Sequence, residues 1–124
     1  MDTDTRSRIL EKAEELGRLI AQMPEFAYLQ AAQRDVGNDR EATELLNRLR
    51  TLQETLVSQV GRRENPTEEQ EGEYEQLQER IQGSTRYQAL IASQTNFDKL
   101  MERVHRAIGG GIRKGEESRI ILPS

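Results

Sequence analysis

From Leu90 to Ile108 the residues on one helical face recur at alternating steps of four and three: Leu90, Gln94, Phe97, Met101, Val104 and Ile108. A strand would need alternation at every second position, whereas a repeat averaging 3.5 residues keeps a single stripe turned toward a neighbouring helix. A straight helix drifts by about 20° per heptad against such a repeat. Holding the stripe over nearly three heptads therefore predicts a long helix with a close, nearly parallel or antiparallel neighbour. Gln94 is the one polar member of the seam. Its amide either fixes the register of a helical assembly or lies at a wet edge of the core, and the spacing allows both.

The rest of the chain carries helical punctuation as well. Asp4 or Thr5 can cap a first helix whose apolar residues, Ile9, Ala13, Leu16, Ile20 and Met23, form one stripe. Pro24 suits the first turn of a short second helix, where its fixed φ is already correct and its missing N–H leaves no bond unmade. Phe26, Leu29 and Ala32 give that helix a buried face. Gly37-Asn38-Asp39 reads as a stop and restart. A third helix follows from about Arg40 to Val60, with Ala42, Leu45 or Leu46, Leu49, Leu52, Leu56 and Val60 on one side, and Gly61 ends it. After a polar connector, Thr67-Glu68-Glu69-Gln70 matches a capping box, and the fourth helix offers Tyr74, Leu77 and Ile81 for burial.

Gly83-Ser84-Thr85 breaks the chain before the long helix, and Gly109-Gly110-Gly111 is expected to terminate it, since consecutive glycines lose much backbone entropy in a helix. The expected architecture is all-α: an antiparallel helical bundle of about five helices over residues 1–108, with one long C-terminal heptad helix. A flexible, glycine-hinged C-terminal tail is expected over 109–124.

Composition limits what such a bundle can do. Leu, Ile, Val and Phe make up about 22% of the chain, just above the roughly 20% below which disorder sets in. The core is thin, and association with another chain would add burial. With no cysteine, disulfides, thiolate metal sites and cysteine nucleophiles are excluded. His105 is the single histidine and reads as structural or exposed, without a second nitrogen or sulfur ligand to make a transition-metal site. Glu14/Glu15 and Glu68/Glu69 sit amid charge and read as solvated helix surface, not as an acid–base pair. No glycine-rich loop precedes a helix, so nothing cradles a phosphate. A net charge of −4 repels nucleic acid. The acidic start and the lack of a long apolar run point to a cytoplasmic protein that does not enter membranes.

Two stretches offer themselves as docking surfaces. Glu64 to Glu79 holds seven Glu and no basic residue, which fits either a basic partner or a solvated face. The end of the chain, Ile120-Ile121-Leu122-Pro123, is an apolar cluster that either docks on another protein or folds back on the bundle.

Several of these segments together resemble the YlbF/YmcA family of small bacterial regulators, and in layout look closest to its YheA-like members. The resemblance rests on Pro24-Glu25-Phe26, Asp39-Arg40-Glu41-Ala42, Leu49-Arg50-Thr51-Leu52-Gln53-Glu54-Thr55-Leu56, Gly61, Thr67-Glu68-Glu69, and Tyr87 through Ile108. It covers about Ile9 to Ile108. The likeness implies an all-α fold, a tendency to dimerise, and action within complexes that tune competence, sporulation and biofilm formation through a membrane-bound endoribonuclease. Some members hold iron–sulfur clusters on C-terminal cysteines. This chain has none, so no cofactor is expected.

The expected function is that of a non-catalytic helical adaptor. It would self-associate through the Leu90–Ile108 seam and meet its partner protein, an endoribonuclease complex, through exposed third-helix residues such as Arg48 and Arg50. The alternative is a structural or cargo-type protein that self-assembles and docks onto a larger host through Ile120, Ile121, Leu122 and Pro123.

Overall fold

The computed structural model describes residues 2–121, which form five helices and no strand. They are α1 (Asp2–Ala21), α2 (Pro24–Asn38), α3 (Arg40–Gly61), α4 (Glu68–Gln82) and α5 (Thr85–Ile121).

Local cap chemistry sets most of the boundaries. Pro24 occupies the first turn of α2. The Asp39 carboxylate accepts from the Ala42 backbone N–H at 3.1 Å and so caps α3. At α4 the Gln70 N–H donates to Thr67 Oγ1 at 3.1 Å while the Thr67 N–H donates to Gln70 Oε1 at 3.0 Å, completing a capping box. α3 ends at Gly61, but the left-handed residue after it is Arg63, with φ of 61°. No glycine has positive φ among the described residues, so the stop at Gly37-Asn38-Asp39 is made without a left-handed glycine. α1 begins at Asp2, ahead of Asp4 and Thr5, and places their acidic and hydroxyl groups in its first turn, where the helix dipole favours Asp4.

The fifth helix departs most from expectation. Gly109, Gly110 and Gly111 do not terminate α5, which runs through them as a 37-residue helix about 55 Å long. An interior glycine costs about 1 kcal/mol relative to alanine, which weakens a helix without forbidding it. Extending an existing helix is far easier than nucleating one, and no proline follows before Pro123. A Cβ added at any of the three glycines would meet nothing within 4 Å, so the chain does not need their small size to pack against itself.

Helix directions follow from residue pairs. Arg80 reaches Glu41 at 3.2 Å and Arg48 reaches Glu73 at 3.7 Å, so α3 and α4 are antiparallel. Arg86 pairs with Asp39 at 3.4 Å and the Phe97 ring lies 5.8 Å from Phe26, so α5 runs back along α2. Farther along α5, Leu100 shares a groove with Met23, and Ile108 shares one with Ile9 and Leu16. α1 therefore prolongs the line of α2, and the two lie end to end beside the long fifth helix.

The core sits at one end of this arrangement. Every buried hydrophobic among the described residues lies on α2, α3 or α4: Leu29, Ala32 and Val36, then Ala42, Leu45, Leu49 and Leu52, then Leu77 and Ile81. Leu46, Leu56, Tyr74 and Tyr87 pack against the cluster of Leu45, Leu49, Leu52, Leu77 and Ile81. Full burial of a Leu, Ile or Val side chain in this core stabilises by about 1.5–3 kcal/mol.

Candidate protein-binding surface

The heptad seam of α5 meets a neighbour in its own chain. Leu90, Gln94, Phe97, Met101 and Val104 are half-buried, and Phe97 packs its tilted ring on Phe26 of α2. Gln94 satisfies its amide locally: Nε2 donates to Asp98 Oδ1 one turn on, at 2.9 Å. At Ile108 the cover gives out, and this residue is 47% exposed.

Past that point the two helices α1 and α5 form an arm with little between them. Ile108 joins Thr5, Arg8, Ile9, Lys12, Ala13 and Leu16 around an open groove of about 510 Å³. Leu16 and Ile20 are half-buried, but Ile9, Leu10 and Leu19 on α1 and Ile112 on α5 are 55–67% exposed. Ile9 borders the groove with Ile108, while Leu10 and Leu19 stand on opposite flanks of α1, and apolar side chains left in water on a chain so highly charged mark a surface for contact with another protein. The α1 stripe and the thin core were both legible in the sequence. That the stripe stays uncovered is a property of the tertiary arrangement.

The other expected docking residues fall elsewhere. Arg48 lies at the closed end and pairs across to Glu73 on α4, while Arg50 donates to Asn47 Oδ1 at 3.5 Å on its own helix. Both are exposed, and the fold does not bring them to the arm. Ile120 and Ile121 belong to the last turn of α5, and Leu122 and Pro123 lie outside the described residues. His105 is exposed. Among the described residues no group of three or more His, Cys, Asp or Glu is placed to hold a metal ion, and no helix is long and apolar enough to cross a membrane.

The family model for the control of competence regulator ComK, YlbF/YmcA, matches residues 9–113. This chain belongs to the YlbF/YmcA family. The match extends beyond Ile108 and through the three glycines, so the resemblance is not confined to the segment before them. Among solved structures, the chain is similar to one described as Bacillus subtilis RicA in complex with RicF. The TM-score is 0.74 at 14% identity, over 88% of this chain and 96% of that one, which establishes a shared fold. Comparison with curated protein sequences gives no match.

Proposed function

We propose that this YlbF/YmcA-family protein is a non-catalytic helical adaptor of the cytoplasm, acting by contact with other proteins in a complex that modulates an endoribonuclease and so the processing of mRNA. The observation that carries this reading is the arm, where Ile9, Leu10, Leu19, Ile108 and Ile112 stand between 47% and 67% exposed. Water contact on so much apolar surface is unfavourable by roughly 25 cal/mol per Å², and a partner relieves it. Membership of a family of competence regulators supports a regulatory role. So does the likeness to RicA, a protein solved in complex with a second protein, RicF. The Leu90–Ile108 face runs into the arm at Ile108, and self-association of two copies would begin there, to be completed or replaced by the regulatory partner. Direct binding to RNA has little support in a chain of net charge −4.

Affinity purification from the native host, with the parent chain and with an Ile9→Asp/Ile112→Asp variant, tests the reading. Both positions are exposed, so the variant keeps its helicity and melting, and it is expected to lose the co-purifying protein. Deleting the gene is expected to alter particular transcripts only where the partner nuclease is present. Turnover by the purified chain, or tight, salt-sensitive RNA binding, would overturn the proposal.

A further inference from the structure

A second surface lies along the α2–α5 pair, nearer the closed end than the α1–α5 groove. Here α5 presents Lys99 and Arg103 one turn apart beside Leu100, facing Met23, Glu25 and Tyr28 across a groove of about 450 Å³. Other charges on this stretch of α5 are satisfied along the helix: Asp98 accepts from Gln94, and Glu102 pairs with Arg106 at 3.2 Å. Lys99 and Arg103 have no ion-pair or hydrogen-bond partner among the described residues. Like charges at i and i+4 destabilise a helix by roughly 0.2–0.5 kcal/mol, a local repulsion that an anion seated between them would remove. Beneath the two cations the groove offers apolar contact. Leu100 is half-buried, Met23 is 39% exposed, and Tyr28 stands out with 68% of its surface in water and its hydroxyl unbonded.

We infer that this groove is a docking site for an acidic amphipathic segment of another protein, one that sets carboxylates against Lys99 and Arg103 and an apolar side chain against Met23, Tyr28 and Leu100. The inference rests on the adaptor reading and gives it a second, chemically distinct contact. Two features favour a protein segment over a nucleic acid. Two cations sharing a groove with the Glu25 carboxylate neutralise few phosphates, and affinity for a phosphate polymer scales with the number neutralised. The floor also rewards an aliphatic or aromatic side chain, as helix-in-groove recognition does. A second copy of this chain is the other occupant the test must separate. Its most acidic helix, α4, already spends Leu77 and Ile81 in its own core, at 2% and 3% exposure. If instead α1 of a second copy, with Glu11, Glu14 and Glu15 beside exposed Leu10 and Leu19, fills the groove, Lys99→Glu/Arg103→Glu loses self-association in light scattering, a result that overturns the inference.

The probe is a fluorescein-labelled helical peptide of about 16 residues, with leucines on one face and glutamates flanking them. Fluorescence anisotropy reads its binding to the full chain. Saturable binding is expected, weakened about tenfold or more by Lys99→Glu/Arg103→Glu and also weakened by Tyr28→Ala, with melting unchanged because all three positions are exposed. A matching peptide with lysines for glutamates is expected to prefer the charge-reversed protein. Absence of saturable binding overturns the inference, as does equal binding by parent and Lys99→Glu/Arg103→Glu, or a single-stranded RNA oligonucleotide outcompeting the peptide at this groove. Co-purification of the native partner by the charge-reversed variant, with peptide binding lost by no more than a trace, would remove the groove while leaving the adaptor reading intact. Loss of that partner only in Ile9→Asp/Ile112→Asp would place its contact on the arm alone and overturn the groove as a second contact.

Discussion

The two ends of this molecule are built from the same kind of amphipathic helix and reach opposite outcomes. At the closed end, α3 and α4 turn their stripes toward each other and toward α2, and Leu77 retains only 2% of its surface in water. At the arm, α1 carries a stripe just as regular, yet Ile9 remains 60% exposed because no described helix packs closely along it there, and Ile108 of α5 only borders an open groove. Periodicity makes a helix able to bury a face, and the number of helices gathered around it decides whether the face is buried. The closed end holds the fold, although the expected α3 stripe stops short of Val60, which with Val57 stays 70–72% exposed at the far end of that helix, and the arm is left available for contact.

If that division is right, the largest effect of a single substitution falls at the closed end. Leu77→Ala removes a fully enclosed side chain and is expected to cost about 2–5 kcal/mol, read as a lower midpoint in urea unfolding. An unchanged midpoint would mean that the cluster around Leu45, Leu49 and Leu52 is not the core. Met101→Glu is next in size. The side chain is half-buried on the seam, so introducing a charge there is expected to cost about 1–3 kcal/mol and to lower the mass seen by light scattering coupled to gel filtration. A strictly monomeric parent at tens of micromolar would remove self-association from the account.

The glycines sharpen the comparison differently. Replacing Gly109, Gly110 and Gly111 by Ala meets no steric obstacle and is expected to strengthen the distal part of α5 locally by roughly 2–3 kcal/mol. Amide hydrogen exchange would report that gain beyond Ile108. The global melting temperature is expected to move little, since none of the described residues from Gly109 to Ser118 is buried. A large rise in melting temperature would show that the arm is coupled to the closed end after all.

What the sequence made legible divides along the same line. Pro24, Asp39 and the Thr67–Gln70 box announced their helices because capping is chemistry between residues three or four apart, complete within the local chain. The heptad seam announced that α5 needs a neighbour. It did not say that the neighbour is α2, because Phe26 and Phe97 are far apart in sequence and only the fold brings their rings to 5.8 Å. The glycine triplet misled for a related reason. Its cost per residue is real, but helix continuation is cooperative, and residues after it with no competing structure follow the helix already formed. Of the candidate site, the apolar α1 stripe was readable as a stripe. Its exposure, and the groove that sets Lys99 and Arg103 beside Tyr28, depend on where α1, α2 and α5 lie relative to one another.

The smallest expected effect concerns Arg48. Its guanidinium pairs with Glu73 at 3.7 Å, but the two side chains are 57% and 43% exposed, so water and salt screen most of the attraction. Arg48→Glu is therefore expected to lower stability by about 0.5–1 kcal/mol at most. Arg50→Glu, which loses only a 3.5 Å contact to Asn47, is expected to change it less. A double-mutant cycle over Arg48 and Glu73 isolates the pair, and a coupling near zero in high salt is the expected result. Because neither change disturbs the core, both variants are clean reporters of function. If Arg48→Glu and Arg50→Glu keep the native partner while Ile9→Asp/Ile112→Asp loses it, binding belongs to the arm and the closed end is a scaffold. If instead the partner is lost on reversing Arg48 or Arg50 at unchanged melting, the α3 surface carries the contact, and the contrast between a closed end for stability and an open end for recognition breaks down.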